Sequence, residues 1–186
     1  MSAEKYLLCS LLALAVVYAG LRLMEAVRVY LRYRGQRLVT CPEAQKAAGV
    51  RVAARLAAER FFIGRPQIRL SECSRWPERA GCGQDCLSQI EADPEKCLVW
   101  NIVNEWYAGK RCISCKKPFG GIHWHDHRPA LVNRDLETVQ WTEVPIEKLP
   151  EYLDTHWPVC WDCHIAESFR RNHAELVTDR QWRHGS

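Results

Sequence analysis

Ten cysteines stand in a chain of 186 residues, and four of them form two Cys-x-x-Cys pairs, Cys112–Cys115 and Cys160–Cys163. That spacing lets two thiolates of one turn reach a single ion, with backbone N–H groups of the turn pointing at the sulfurs. Two such pairs supply four soft, negatively charged donors, which is the closed tetrahedral shell of structural zinc. The first pair runs into Lys116, Lys117, Pro118, Phe119, Gly120 and Gly121, the composition of a tight turn. The second opens a helical run from His164 to Arg171. Cys163 then lies at a helix N-terminus, where the dipole favours the thiolate. The chemistry expected of Cys112, Cys115, Cys160 and Cys163 is zinc ligation.

A second group is looser. Cys73, Cys82, Cys86 and Cys97, with Cys41 as a substitute, are candidates for a second metal site. Cys82 and Cys86 are four apart and would share a face of a helix. The group could hold a second zinc or an iron–sulfur cluster, although its spacing matches none of the familiar ferredoxin patterns. Plain or disulfide-forming cysteines are the other reading. Cys9 lies in an apolar run and is read as a lipid-facing or packing residue.

A knuckle, a hairpin and a second cysteine pair on a helix resemble a treble-clef zinc finger, over residues 109–172. The resemblance implies that the metal fixes the helix to the hairpin and supplies part of the local folding free energy. Between the pairs stand His123, His125, Asp126 and His127, and His164 directly follows the second pair. This arrangement is similar to the HNH nuclease variant of the treble clef. Carried over by motif position, His127 would be the base that activates water, with Asp126 and His164 as ligands of a catalytic divalent metal. The middle Asn of that pattern is replaced here by Thr155. Cys160-Trp161-Asp162-Cys163-His164 also matches a c-type haem attachment site, in which Cys160, Cys163 and His164 would hold the haem of an electron carrier.

The elements that must position these residues begin with an anchor. Tyr6 to Leu21 carries no charged side chain, and Leu23 and Met24 continue the run past Arg22. About 20 apolar helical residues match the hydrocarbon thickness of a bilayer. A cleaved signal peptide is the competing reading, but Glu4 beside Lys5 leaves the leading segment hardly positive. Residues 1–37 hold six Lys/Arg and two Asp/Glu, whereas residues 38–186 hold twenty of each. Arg22, Arg28, Arg32, Arg34 and Arg37 follow the apolar run, so the positive-inside rule predicts a single-pass membrane protein with its remainder in the cytoplasm. That compartment is reducing, which favours metal ligation over disulfides. The electroneutral remainder offers no basic field for nucleic acid, so nucleic acid is not an expected partner.

The helix is expected to stop near Gly35. Leu38–Thr40 and Val50–Val52 read as short strands around a Cys41–Pro42 turn, Ala53–Phe62 as a helix, and Ile68–Leu70 as a strand. In residues 95–107, Leu98, Ile102 and Trp106 fall at helical spacing and are expected to form the buried face. Trp100, Trp106, Trp141, Trp157 and Trp161 are read as core around the metal sites, since one indole buries about 150–250 Å². Trp76, in the Cys-Ser-Arg-Trp-Pro turn, would suggest a partner surface if exposed. Together these features predict an α+β chain: a transmembrane anchor helix with a basic extension (1–37), a cysteine-rich α+β region (38–108) and a treble-clef-like zinc domain with a tail (109–186). The expected partners are the lipid bilayer and other subunits of a membrane complex. The expected role is that of a structural, binding or assembly subunit. An electron-transfer subunit and a metal-dependent nuclease are the alternatives; no nucleophile–base pair or phosphate loop marks the chain as an enzyme. With this topology, a membrane-impermeant thiol reagent is expected to label the cysteines of residues 38–186 only after the membrane is opened, and labelling from the outer side of sealed cells would contradict the arginine argument.

Overall fold

A computed structural model describes residues 3–64, 67–76, 78, 81–121 and 127–173, with side chains from Tyr6 onward. The chain forms two units, residues 1–99 and 100–186. It is a mixed α+β protein.

The first unit starts with helix α1, Ala3–Tyr33. Its stretch Tyr6–Tyr33 is 28 residues long and reaches a mean hydropathy of 2.1. At 1.5 Å per residue this stretch measures about 42 Å, more than the roughly 30 Å of a hydrocarbon core. Leu7, Leu8, Leu11, Leu12, Leu14 and Val16 are each more than half exposed. One N-terminal apolar helix is therefore long enough to cross a membrane. It ends where the sequence says it should, because Gly35 takes φ +96° and a Cβ there would meet Leu98 Cδ1 at 2.9 Å.

Strands β1 (Gln36–Cys41), β2 (Lys46–Val52) and β3 (Leu70–Cys73) follow in an antiparallel sheet of order β1-β2-β3. Helix α2 (Ala54–Phe62) separates β2 from β3, and helix α3 (Leu87–Ala92) comes after β3. The core packs Val39, Ala48, Val50, Val52 and Leu70 of the sheet with Cys86 and Ile90. β3 forms two residues downstream of the expected Ile68–Leu70 strand, with a register shift against β2 between Arg51 and Val52. Trp76 is half-buried and packs against this core, so the condition for a partner surface there is not met.

Arg37 is 1 % exposed, and its guanidinium donates to the carbonyls of Pro94 and Arg32. Burial lowers its pKa. Leu38 N–H donates to Cys97 O at 2.8 Å, so the residues before helix α4 (Val99–Tyr107) join the edge of the sheet at β1. Arg22 of α1 donates to Phe61 O (2.8 Å) and Phe62 O (2.9 Å), satisfying carbonyls at the end of α2. Its guanidinium carbon lies 5.4 Å from the Phe61 ring centroid.

In the second unit, strands β4 (Ala130–Val132), β5 (Thr138–Gln140) and β6 (Trp157–Val159) form an antiparallel sheet of order β5-β4-β6. Asn133 closes the β4–β5 hairpin: its Oδ1 accepts from Asp135 N–H (2.9 Å) and Glu137 N–H (2.8 Å). Helix α5 (Leu149–Thr155) precedes β6, and helix α6 (Trp161–Asn172) follows it.

The fully buried face of α4 is Val99, Val103 and Tyr107, whereas Leu98, Ile102 and Trp106 are half-buried. The face is thus turned by one residue from the sequence expectation. Tyr107 explains the turn, because its ring fills space beside Phe119 (centroids 4.9 Å apart) while its hydroxyl donates to Ala130 O at 2.7 Å. Of the expected tryptophan core, Trp141 is buried and Trp157 exposed. Tyr107→Phe is expected to cost about 0.5–1.5 kcal/mol of unfolding free energy through the lost hydrogen bond, and Tyr107→Ala about 3–5 kcal/mol through the cavity. Chaotrope unfolding of the detergent-solubilised protein measures both, and equal losses for the two variants would contradict the assignment.

Candidate metal centre

The first cysteine pair lies on a reversal between two short extended segments. Arg111 and Pro118 form an isolated antiparallel bridge, Cys112 N–H donates to Lys117 O (2.9 Å), and Lys116 N–H donates to Cys112 O (2.9 Å). Lys116 sits at φ +62°, which tightens the turn. Ile113 N–H donates to Pro158 O at 2.9 Å, tying the turn to β6. β6 then delivers Cys160 as the N-cap of α6, and Cys163 falls in that helix's first turn.

The outcome is one sulfur group. The ligand atoms of Cys112, Cys115, Cys160 and Cys163 all lie within 4.8 Å of one another, and the Sγ atoms of Cys115 and Cys160 are 3.7 Å apart. Cys112 is buried, Cys160 and Cys163 half-buried, and Cys115 exposed. The group rests on a small core of Cys112, Ala130, Val132 and Val159, against which Phe119, Cys160 and Cys163 pack. Such a group can hold a metal ion.

Its electrostatics already favour a thiolate at one position. Burial alone would raise the Cys112 thiol, but hydrogen bonds from the backbone N–H groups of Cys115, Cys160 and Ser114 outweigh it and bring the pKa down to about 6. The Cys160 N–H lies 3.3 Å from the Cys112 sulfur. Cys163 moves the opposite way, raised by burial, by its bonds to the other three cysteines and by the charge on Cys112. Cys160 is raised by burial first.

The histidines divide. His123, His125 and Asp126 lie outside the described residues. His127 is exposed at φ +48°, its ring centroid 6.2 Å from that of Trp161. His164 is 7 % exposed, and its Nδ1 has no hydrogen-bond partner among the described residues. Burial lowers its pKa, against an opposing pull from Glu143. It packs beside Trp161, with centroids 5.9 Å apart, and does not belong to the sulfur group. Thr155 turns back on its own helix, donating to Glu151 O at 2.7 Å, while His156 stacks on Tyr152 with centroids 4.6 Å apart.

The second cysteine group also divides. Cys86 is buried, and its thiol is pushed up to about 11 by burial first and then by Cys73, Cys82 and Cys41. Cys97 packs against the same core as Cys41 and Cys73; its sulfur faces Gln89 O at 3.6 Å, and burial raises its pKa against the opposing charge of Arg37. Among the described residues, none of these five cysteines belongs to a group of ligand atoms gathered closely enough to hold a metal ion. Residue types alone had not pointed to the backbone donors of Ser114, Cys115 and Cys160; only the Cys-x-x-Cys spacing hinted at them.

Comparison of the chain with protein-family models, with curated proteins and with solved structures gave no match.

The thiol shifts fix how the metal-free protein should respond to pH. Cys112 is more acidic folded (about 6) than at its ordinary value of 9.0, so its contribution to stability is complete above 9 and lost as pH falls through 6. Cys160 and Cys163 are raised, so their contribution is present below 9 and lost above it. The chaotrope midpoint of the chelator-treated protein is expected to rise from pH 6 to 9 and fall beyond, and Cys112→Ser is expected to flatten the acid limb; a flat profile in the unaltered protein would contradict a thiolate at Cys112.

Proposed function

We propose that this chain is a single-pass membrane protein whose cytoplasmic part carries a treble-clef-like zinc domain and serves as a binding or assembly subunit of a membrane complex. The sulfur group of Cys112, Cys115, Cys160 and Cys163 carries the reading. Its donors are all thiols, the hardness and number that suit a closed structural zinc shell. The order of the surrounding elements supports the treble-clef assignment: a tight turn with the first pair, the β4–β5 hairpin, then the second pair entering α6. Zinc would be held by these four thiolates and would fasten α6 to the turn at Cys112–Lys117.

The anchor rests on α1, and the orientation on the arginines after its apolar run. A cytoplasmic location keeps the thiols reduced, as ligation requires. The haem reading would draw Cys160 and Cys163 away from two cysteines whose sulfurs they adjoin. The nuclease reading would need a residue in the role of the missing Asn, whereas Thr155 bonds to its own helix.

The test is elemental analysis and absorption spectroscopy of the protein purified from its native membrane. A colourless protein with tightly held zinc, from which Cys115→Ser removes one equivalent, is the expected outcome. A sharp Soret band or a broad brown absorption would instead establish an electron carrier.

A further inference from the structure

The part of α1 beyond its apolar run is paired with α2. At one end Gln36 pairs with Arg51 across β1 and β2, which brings the close of α1 at Tyr33 beside the start of α2 at Ala54. At the other end Arg22 holds the carbonyls of Phe61 and Phe62. α2 therefore runs antiparallel to this part of α1, and the buried side chains of Ala26, Ala54 and Ala57 are small enough to let the two helices approach. The end of α2 returns to the level at which the uncharged run of α1 stops.

In a chain anchored by that run, this level is the edge of the hydrocarbon layer, because a charged side chain is costly any deeper. The side chains presented there are nonetheless apolar and exposed. Phe62 is 45 % exposed, Ile63 67 % and Leu23 of α1 60 %, and Gly64 turns the chain at φ +76° directly after them. Contiguous apolar surface of this kind marks a contact rather than open water. Between the helices runs a groove of about 780 Å³, lined at this end by Leu23, Phe62 and Ile63 and farther along by Val27 and Tyr30. Its charged lining residues, Glu59 and Arg55, come one and two turns before Phe62, on the side away from the apolar run. The groove thus passes from apolar to charged along its axis, the order in which a phospholipid presents its chain and its head group. From Arg55 to Ile63 it extends about 12 Å along α2. That is enough to cross the head-group layer of one leaflet, about 5–8 Å deep.

We propose that the groove between α1 and α2 holds a phospholipid of the adjoining leaflet. An acyl chain lies along Leu23, Phe62 and Ile63, the phosphate faces Arg55, and the ammonium of a zwitterionic head group faces Glu59. The exposed Arg28 and Arg32 supply cations for neighbouring phosphates. The end of α2 is then a second point of membrane contact beside the span. This rests on the reading of α1 as a membrane anchor.

The test uses the full-length chain in phosphatidylcholine nanodiscs. One sample has its four phenylalanines replaced by para-fluorophenylalanine, and a second carries meta-fluorotyrosine. Fluorine NMR is recorded with a nitroxide on the lipid acyl chain or with a water-soluble nickel chelate, and Phe62→Leu and Tyr18→Phe assign the two reporting signals. The Phe62 signal is expected to broaden more under the lipid nitroxide than under the chelate. Equal or stronger broadening by the chelate would overturn the proposal. So would protection from both agents, which would put a partner protein or a second copy on the groove. Tyr18, inside the apolar run, separates the two readings. Lipid broadening at Tyr18 but not at Phe62 sinks the groove and leaves the anchor, whereas its absence at Tyr18 removes the anchor and this proposal with it. Native mass spectrometry of the protein transferred to detergent is expected to find one retained phosphatidylcholine per chain, lost in Arg55→Glu. No retained lipid, or unchanged retention in that variant, would overturn the head-group assignment.

Discussion

Four sulfurs within 4.8 Å of one another cannot all carry charge without a cation between them. The fold stabilises one negative charge by aiming backbone N–H groups at Cys112, while burial first, and then the other three cysteines, push the Cys163 thiol away from ionisation. Much of the second unit is arranged around this constraint. β6 is three residues long, the tight turn is held to it through Ile113 and Pro158, and α6 begins at a cysteine. The core beneath consists of Ala130, Val132, Val159 and Cys112. Side chains this small bury little apolar area, at about 25 cal/mol per Å². An ion bound by both pairs would join the turn to the helix more firmly than that core does.

The first unit solves a different electrostatic problem at Arg37. A guanidinium at 1 % exposure loses its hydration, and the compensation comes from backbone carbonyls together with the nearby charges of Cys97 and Glu95. Those carbonyls belong to Arg32 at the end of α1 and Pro94 beyond α3. The end of the apolar helix, the first strand and the segment leading to α4 therefore meet at one side chain. The charge of Arg37 also reaches Cys97, where it opposes the effect of burial on the thiol.

The features legible in the sequence were those set by local rules. An uncharged run long enough for a helix, a glycine where φ must be positive, and cysteines at ligand spacing each became what their residues imply. The β1–β2 hairpin followed from two apolar stretches around Cys41–Pro42. What could not be read depended on distant partners. The buried face of α4 turned by one residue because Tyr107 found Ala130 and Phe119. Trp76 went inward and Trp157 stayed outside, although both are tryptophans beside a proline.

Arg22 is the first charged residue after the apolar run of α1, and its guanidinium holds the last carbonyls of α2 while Phe61 covers it. Here its hydrogen-bonding capacity is turned toward the polypeptide, so α1 is more than a tether. Through Arg22 and Phe61, α1 and the end of α2 form one joint within the first unit, so the long apolar helix is fixed to the segment that leads to β3.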